Sequence, residues 1–349
     1  MFDSKGIIGL DIGSSYIKAV QLKERGSAYE LELFDMLAIS PELIVEGSII
    51  DAIRLTESLK ELIRKTKTKH KDVVISISGH SSVIIKRISL PEMTEEELSE
   101  SIKFEAEQYV PFDIEDVNLD FQILGPKEEA GQMDVILVAV KKDVINDYVS
   151  VVTEAGFHPV IVDVDAFALE NMYGVNYEIE AGTNVALVNI GASSINMNIM
   201  RGGVSVFTRD SSLGSNVHTE ALQKEFSVTY EEAERLKRGE ASEKIKREDV
   251  HSVIMQASGD IFTEVSRSLD YFRSSTHQAD VKEVILSGGC ALIRDFPRFL
   301  SDRIGIGVSL AEPFKNILVP KRFDASYIQE VAAVAAVAVG LAVRRPGDR

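Results

Sequence analysis

The sequence predicts a two-lobed α/β fold, and three observations carry that expectation. Strand-like apolar runs alternate with segments of helical period along the chain. At 349 residues the chain exceeds what one compact core usually holds. One short pattern also occurs twice: Gly9-Leu10-Asp11-Ile12-Gly13-Ser14-Ser15-Tyr16-Ile17-Lys18-Ala19-Val20 and Leu187-Val188-Asn189-Ile190-Gly191-Ala192-Ser193-Ser194-Ile195-Asn196-Met197-Asn198. Each copy has an apolar strand, Asp or Asn, Ile, Gly, small residues with hydroxyls, and a second strand. Two lobes that open with the same hairpin follow from that repeat.

After the first hairpin a third strand is predicted over Tyr29 to Phe34. A helix over Asp51 to Lys65 puts Ala52, Leu55, Leu59 and Leu62 on one face, and a strand runs from Val73 to Ser78. An insertion is expected from about Ser82 to His158. It contains a strand over Val83 to Leu90, then a helix that Thr94 and Glu97 open as a capping box and Pro111 ends. Leu98, Ile102, Ala106 and Tyr109 form that helix's buried stripe. Strands over Val117 to Leu124 and Met133 to Val140, with a turn over Gly125 to Gln132 between them, and a helix over Asp143 to Ala155 complete it.

The strand Pro159 to Val162 and the helix Ala166 to Tyr173 return to the first lobe. Helices follow the second hairpin at His218 to Phe226, Tyr230 to Lys237 and Asp249 to Phe272. The strand Lys282 to Leu286 runs into Ser287-Gly288-Gly289. The expected division is a first core lobe over 1–81 and 159–180, completed by a C-terminal helix over 326–349, an insertion over 82–158 and a second lobe over 181–325.

Composition narrows the function. A net charge of −17 repels a polyanion such as DNA. The densest basic stretch, Arg64 to Lys71, reads as a solvated loop. Trp is absent, and the one cysteine, Cys290, permits no internal disulfide and no cysteine-rich metal site. Met1 to Gly6 lacks the apolar core of a signal peptide. Val331 to Val343 carries no polar side chain but falls short of the roughly 20 residues of a membrane span, so it reads as a buried helix.

The chemistry concentrates at the repeated hairpins. Gly13 permits a tight turn and close approach of an anion, and Ser14 and Ser15 add hydroxyl donors. Lys18 on the outgoing strand can reach back as a point charge. Asp11 ends the incoming strand, where it can hold magnesium through water. Asn189 stands where Asp11 does in the first copy, so metal affinity and activation of water should fall on that side. Gly288 and Gly289 leave open backbone for a purine or ribose. Glu234 and Lys237 share a helix face, as ribose and base contacts or as a surface ion pair. Asp163 and Asp165 fall at a strand end facing the expected cleft. Asp165 is read first as a helix cap and second as a catalytic base.

These residues resemble the actin, Hsp70 and sugar-kinase superfamily, whose fold is a two-lobed, ribonuclease H-like ATPase. The hairpins resemble its phosphate motifs, and Ser287-Gly288-Gly289 its adenosine motif. Val160 to Tyr173 and Tyr327 to Val343 resemble its connecting elements. The insertion after the strand Val73 to Ser78 is similar to that of the division protein FtsA. Phe104-Glu105-Ala106-Glu107-Gln108-Tyr109-Val110-Pro111-Phe112-Asp113-Ile114 and Val162 to Asn171 resemble the PilM family of type IV pilus assembly proteins.

The resemblance implies ATP and magnesium bound between lobes by Asp11, Gly13, Ser14, Ser15, Lys18, Asn189, Gly191, Ala192, Ser193, Ser194, Gly214, Glu234, Lys237, Gly288 and Gly289, and Asn189 in place of the superfamily's aspartate leads to an expectation of weak hydrolysis at best. It implies docking of the N-terminal cytoplasmic peptide of a PilN-like membrane protein between the core lobe and the insertion. The surface near Val83 to Ile88 and the helix Leu98 to Tyr109 is the expected place. It further implies a link to the pilus motor ATPases, a ring or other homo-oligomer, and a cytoplasmic protein held at the inner membrane by partners. An FtsA-like filament protein and a small-molecule kinase with Asp165 as base are the alternatives. The short polar tail Arg344 to Arg349 disfavours the first and Asn189 the second.

Overall fold

The computed structural model describes residues 6–26, 28–79, 81–127, 131–276 and 280–348. Met1 to Lys5 of the amino-terminal stretch, Glu128 to Ala130 of the expected turn and the terminal Arg349 lie outside the described residues.

The chain begins with a meander, β1 (Ile8–Ile12), β2 (Tyr16–Arg25) and β3 (Ala28–Ala38). A short ribbon, β4 (Ile44–Val45) and β5 (Ser48–Ile49), leads to α1 (Ala52–Thr66) and β6 (Asp72–Ile77). β7 (Val83–Pro91), α2 (Glu95–Ala106), β8 (Val117–Pro126), β9 (Gln132–Lys141) and α3 (Lys142–Glu154) follow, then β10 (His158–Val164) and α4 (Asp165–Asn176). A second meander is built from β11 (Asn184–Ile190), β12 (Ile195–Arg201) and β13 (Val204–Ser211). Then come α5 (Asn216–Phe226), α6 (Tyr230–Lys237), α7 (Arg247–Thr276), β14 (Val281–Ser287), α8 (Phe296–Ile304), β15 (Gly307–Leu310), β16 (Ile317–Leu318), α9 (Ala325–Val331) and α10 (Ala336–Ala342).

Two sheets share one plan. The first has the order β10-β6-β1-β2-β3-β16 and the second β13-β12-β11-β14-β15. In each, an antiparallel meander is continued by two parallel strands: β6 and β10 beside β1, and β14 and β15 beside β11. A third sheet, β7-β9-β8, carries α2 and has its own core around Leu98, Ile102, Val135 and Leu137. α3 instead buries Val144, Tyr148, Val151 and Val152 among Leu10, Leu59 and Ile75 of the first lobe. The inserted sheet is therefore rooted in the first lobe by the helix that follows it.

Local signals explain the helices. Asp51 accepts from the Arg54 amide at the start of α1, whose buried stripe is Leu55, Thr56, Leu59 and Leu62. Ala52, expected in that stripe, is exposed. Thr94 and Glu97 form the expected capping box of α2. That helix ends at Ala106, whose carbonyl accepts from the amides of Tyr109 and Val110. Tyr109 therefore lies in a turn before Pro111 can act. β3 runs further than Tyr29 to Phe34 because it pairs with β2 over that strand's whole length. β13 was absent from the sequence reading, since Val204 to Ser211 lacks a clean apolar alternation.

The alanine-rich carboxyl-terminal segment is not one helix. A 3-10 turn at Ala332–Ala335 separates α9 from α10. The Ala333 carbonyl accepts from the Gly288 amide at 3.0 Å, which draws it away from the helical ladder. Ala325–Ala342 is long and apolar enough to cross a membrane, with mean hydropathy 1.6. Every residue of α10 is nonetheless buried in the fold, against α4, β1 and β2. That packing makes one core spanning both lobes, where Leu22 and Val74 of the first lobe and Leu187 and Ile285 of the second meet Val337, Val339 and Leu341.

Candidate functional site

The two hairpins have the same geometry. Gly13 donates to the Tyr16 carbonyl at 3.1 Å, and Gly191 to the Ser194 carbonyl at 2.9 Å. Asp11 stands opposite Lys18, and Asn189 opposite Asn196, in the same register. Lys18 Nζ donates to Asp11 Oδ2 at 2.7 Å, while Asn189 Nδ2 donates to Asn196 Oδ1 at 3.3 Å. The tips touch: Ser193 Oγ donates to Ser14 Oγ at 2.9 Å. Gly214 packs on the second tip, where a Cβ would lie 2.4 Å from the Ala192 carbonyl oxygen. The amides of Ser215 and Asn216 bond the carbonyls of Gly191 and Ala192. Gly288 has a φ of +88° and packs on the Ile190 carbonyl, a conformation and a closeness that only glycine accepts.

The hairpins enclose a polar cavity of about 90 Å³, lined among others by Asp11, Gly13, Ser14, Asn189, Gly191, Ser193, Ser194 and Asp165. Asp165 is not the cap of α4. Val164 holds that position, and no side chain caps the helix. The Asp165 carboxylate turns instead to Ser76, whose hydroxyl donates to it at 2.6 Å. Burial and the neighbouring Asp11 carboxylate push its pKa up to about 7. Asp163 does not face this cavity. It pairs with Arg344 at 3.1 Å on the other side of the first lobe. The inserted segment also reaches the cavity, since Tyr148 of α3 lines it and donates to the Gly47 carbonyl at 3.1 Å.

A second cavity of about 410 Å³ adjoins the first, sharing Gly13, Ser14, Lys18 and Gly289. Ser15, Ala192, Glu234 and Lys237 line it. Glu234 and Lys237 bond each other at 2.5 Å, and both bond Thr219. Their side chains are only 16% and 10% exposed, so they belong to the cavity wall and not to a surface ion pair. Thr219, Tyr148, Ser76 and Arg238, which donates to the Tyr16 hydroxyl at 3.2 Å, complete the site; spacing in the sequence gave no sign of them. Among the described residues no three His, Cys, Asp or Glu side chains gather as a metal-ligating set. Asp11 could still hold a magnesium ion whose remaining ligands are water and phosphate oxygens.

A separate groove of about 430 Å³ runs between β8 and β10, the edge strands of their sheets. Phe121, Ile136, Val138, Val162 and Phe167 supply its apolar wall, and Asp163, Glu170 and Arg344 its polar end. Burial pushes the Glu170 carboxyl up to about 7. The expected surface at Val83 to Ile88 lies on β7, which packs on β13 of the second lobe, where Thr208 Oγ1 donates to the Ile85 carbonyl at 3.4 Å.

Comparison with known proteins gives a consistent picture. A solved PilM-PilN type IV pilus biogenesis complex contains a chain 29% identical to this one, with a TM-score of 0.86, over 97% of this chain and 98% of that one. The ethanolamine utilization protein EutJ of Carboxydothermus hydrogenoformans is 15% identical, with a TM-score of 0.57, over 97% and 89% of the two chains. MreB5 of Spiroplasma citri bound to AMPPNP is 15% identical, with a TM-score of 0.52, over 97% and 95%. These last two likenesses are likenesses of fold, and the fold is the two-lobed actin-like one. The sequence model of the family described as type IV pilus assembly protein PilM matches residues 9–346, and the chain belongs to that family.

Proposed function

We propose that this chain is an ATP-binding cytoplasmic scaffold of the type IV pilus platform at the inner membrane. The reading rests on the paired hairpins, whose tips meet at Ser14 and Ser193 around a polar cavity. Backbone amides, hydroxyls and Lys18 suit a chain of phosphates, and Asp11 suits its magnesium ion. The neighbouring cavity, walled by Glu234, Lys237 and Gly289, suits the nucleoside. Asp165, with its pKa near neutrality, can take a proton from water. Asn189 brings no charge to the opposite wall, so turnover is expected to be slow at best. Calorimetric titration with Mg-ATP tests this site.

The groove between β8 and β10 is the proposed seat of the partner peptide. Two edge strands facing one gap can take an extended segment between them, with backbone bonds supplying affinity and the apolar wall selecting side chains. A PilN-like amino-terminal peptide is the proposed occupant, in keeping with the PilM-PilN complex that this chain resembles over almost its whole length. Contact with the motor ATPases and assembly into a ring extend the same reading. Titration with such a peptide tests the groove; a folded protein that takes up no peptide, with or without ATP, contradicts it.

A further inference from the structure

We propose that Asp210 is a positioning residue that ties the second hairpin to the root of the inserted unit, so that nucleotide at the hairpin alters how that unit is held. This rests on the nucleotide site proposed above. Three hydrogen bonds form the tie. Asn189 Nδ2 donates to Asn196 Oδ1 at 3.3 Å, Asn196 Nδ2 donates to Asp210 Oδ1 at 3.0 Å, and the Gly79 amide donates to Asp210 Oδ2 at 3.2 Å. The chain thus runs from Asn189 on one wall of the phosphate cavity to the Gly79 amide of the other lobe, on the opposite wall, using both carboxylate oxygens of Asp210.

Gly79 is the structural root of the insertion. Its φ of +131° calls for glycine, and its carbonyl accepts from the amides of Ser82 and Val83, where β7 begins. The Ser82 carbonyl in turn accepts from Lys141, where β9 ends. Both ends of the inserted sheet therefore hang from the segment that Asp210 grips. Thr208, two residues earlier on β13 and so on the same face, touches the Ile85 carbonyl of β7. The second lobe holds the insertion at two points on one strand.

The tie also gives a reason for Asn189. The Asn189 amide both donates to Asn196 and accepts from Ser287, whose hydroxyl lies 3.2 Å from Asn189 Oδ1, a pair of roles an ionised carboxylate cannot fill. A carboxylate at 189 would face the Asn196 oxygen with no proton to share. A ligand that engages Asn189 must shift the first bond of the series, and a hydrogen-bonded series with rigid strands on either side is a physical route for coupling.

The test is amide hydrogen exchange at Val83 and Lys141, which bond the Gly79 and Ser82 carbonyls and do not line the phosphate cavity, with and without Mg-ATP, in the wild type, Asp210→Ala and the isosteric Asp210→Asn, with calorimetry of Mg-ATP on each. The expected result is a change of about fivefold or more in wild-type exchange at these two amides on nucleotide binding. In both variants Mg-ATP still binds within a few-fold of wild type, and exchange at the two amides no longer responds to it. A merely structural role for Asp210 would leave that response in place. A variant that binds nucleotide and keeps the wild-type response overturns the proposal, as does wild-type exchange at both amides that ignores bound Mg-ATP. Absence of heat with the wild type is a different result: it removes the nucleotide site itself, and the tie with it.

Discussion

Lys18 reaches across the first hairpin to Asp11 at 2.7 Å, with the two side chains only 15% and 11% exposed. The matched positions of the second hairpin hold two amides, Asn189 and Asn196. The lobes repeat a backbone and differ in charge. The first carries the ions that a magnesium-bound polyphosphate would engage, and the second carries neutral groups committed to its own interior. Lys18→Met leaves Asp11 without its cation and removes a charge-assisted donor from the cavity. It is expected to weaken Mg-ATP binding by about tenfold or more, since bonds to charged groups are worth about 1.5–3 kcal/mol. Calorimetry on the folded variant checks this.

The groove makes a separable prediction. Val162 is 36% exposed on β10 and faces Phe121 and Val138 across the gap. Val162→Asp puts a charge where a peptide side chain would be buried, and Phe121→Ala removes an aromatic wall. Each should weaken binding of a PilN-like peptide by about tenfold or more and leave Mg-ATP binding unchanged. Loss of both activities together would mean that the groove and the cleft are not independent sites.

Two carboxyls give the stability a pH signature. Glu170 and Asp165 are both pushed up to about 7, from ordinary values of 4.5 and 3.8. Between about pH 4 and pH 7 the native chain then binds more protons than the unfolded chain, so these groups lower stability as pH rises through that window. Glu170→Gln should remove its share. Thermal melts are expected to coincide with wild type at pH 4.5 and to rise above it at pH 8, by on the order of 2 kcal/mol. Equal melts at both values would contradict the raised carboxyl.

The packing around α10 leaves no slack at its glycine contacts. A Cβ on Gly340 of α10 would lie 1.7 Å from the Ala168 carbonyl oxygen of α4. Gly340→Ala must separate the two helices that join the lobes, at a cost of about 1–3 kcal/mol or more. The measurable outcome is a lowered midpoint in urea, whereas Gly174→Ala in α4, where a Cβ meets nothing within 4 Å, should hold or slightly raise it.

These results mark what the sequence could and could not disclose. The hairpins were legible because a glycine, flanking apolar strands and hydroxyls recur at matched places, and each of those residues acts through its own backbone. The capping box of α2 was legible for the same reason: Thr94 and Glu97 are three residues apart and serve each other. Asp165 was misread because the residue that decides its role, Ser76, lies 89 positions away on β6. Asp163 was misplaced because the strand ends one residue later and its Arg344 partner comes from the chain's far end. The break before α10 was invisible because an alanine run carries no sign that the Gly288 amide will claim one of its carbonyls. β13, which presses on the inserted sheet and presents Asp210, has a pattern that only its two neighbours explain.

The central claim is that the paired hairpins bind Mg-ATP, and isothermal titration of wild type against Asp11→Ala tests it most directly. The account predicts saturable heat with the wild type that falls by about tenfold or more in affinity for the variant, since Asp11 is the cavity carboxylate proposed to hold the magnesium ion. A folded wild type that gives no heat with Mg-ATP, or an Asp11→Ala variant that binds as tightly as wild type, would contradict it.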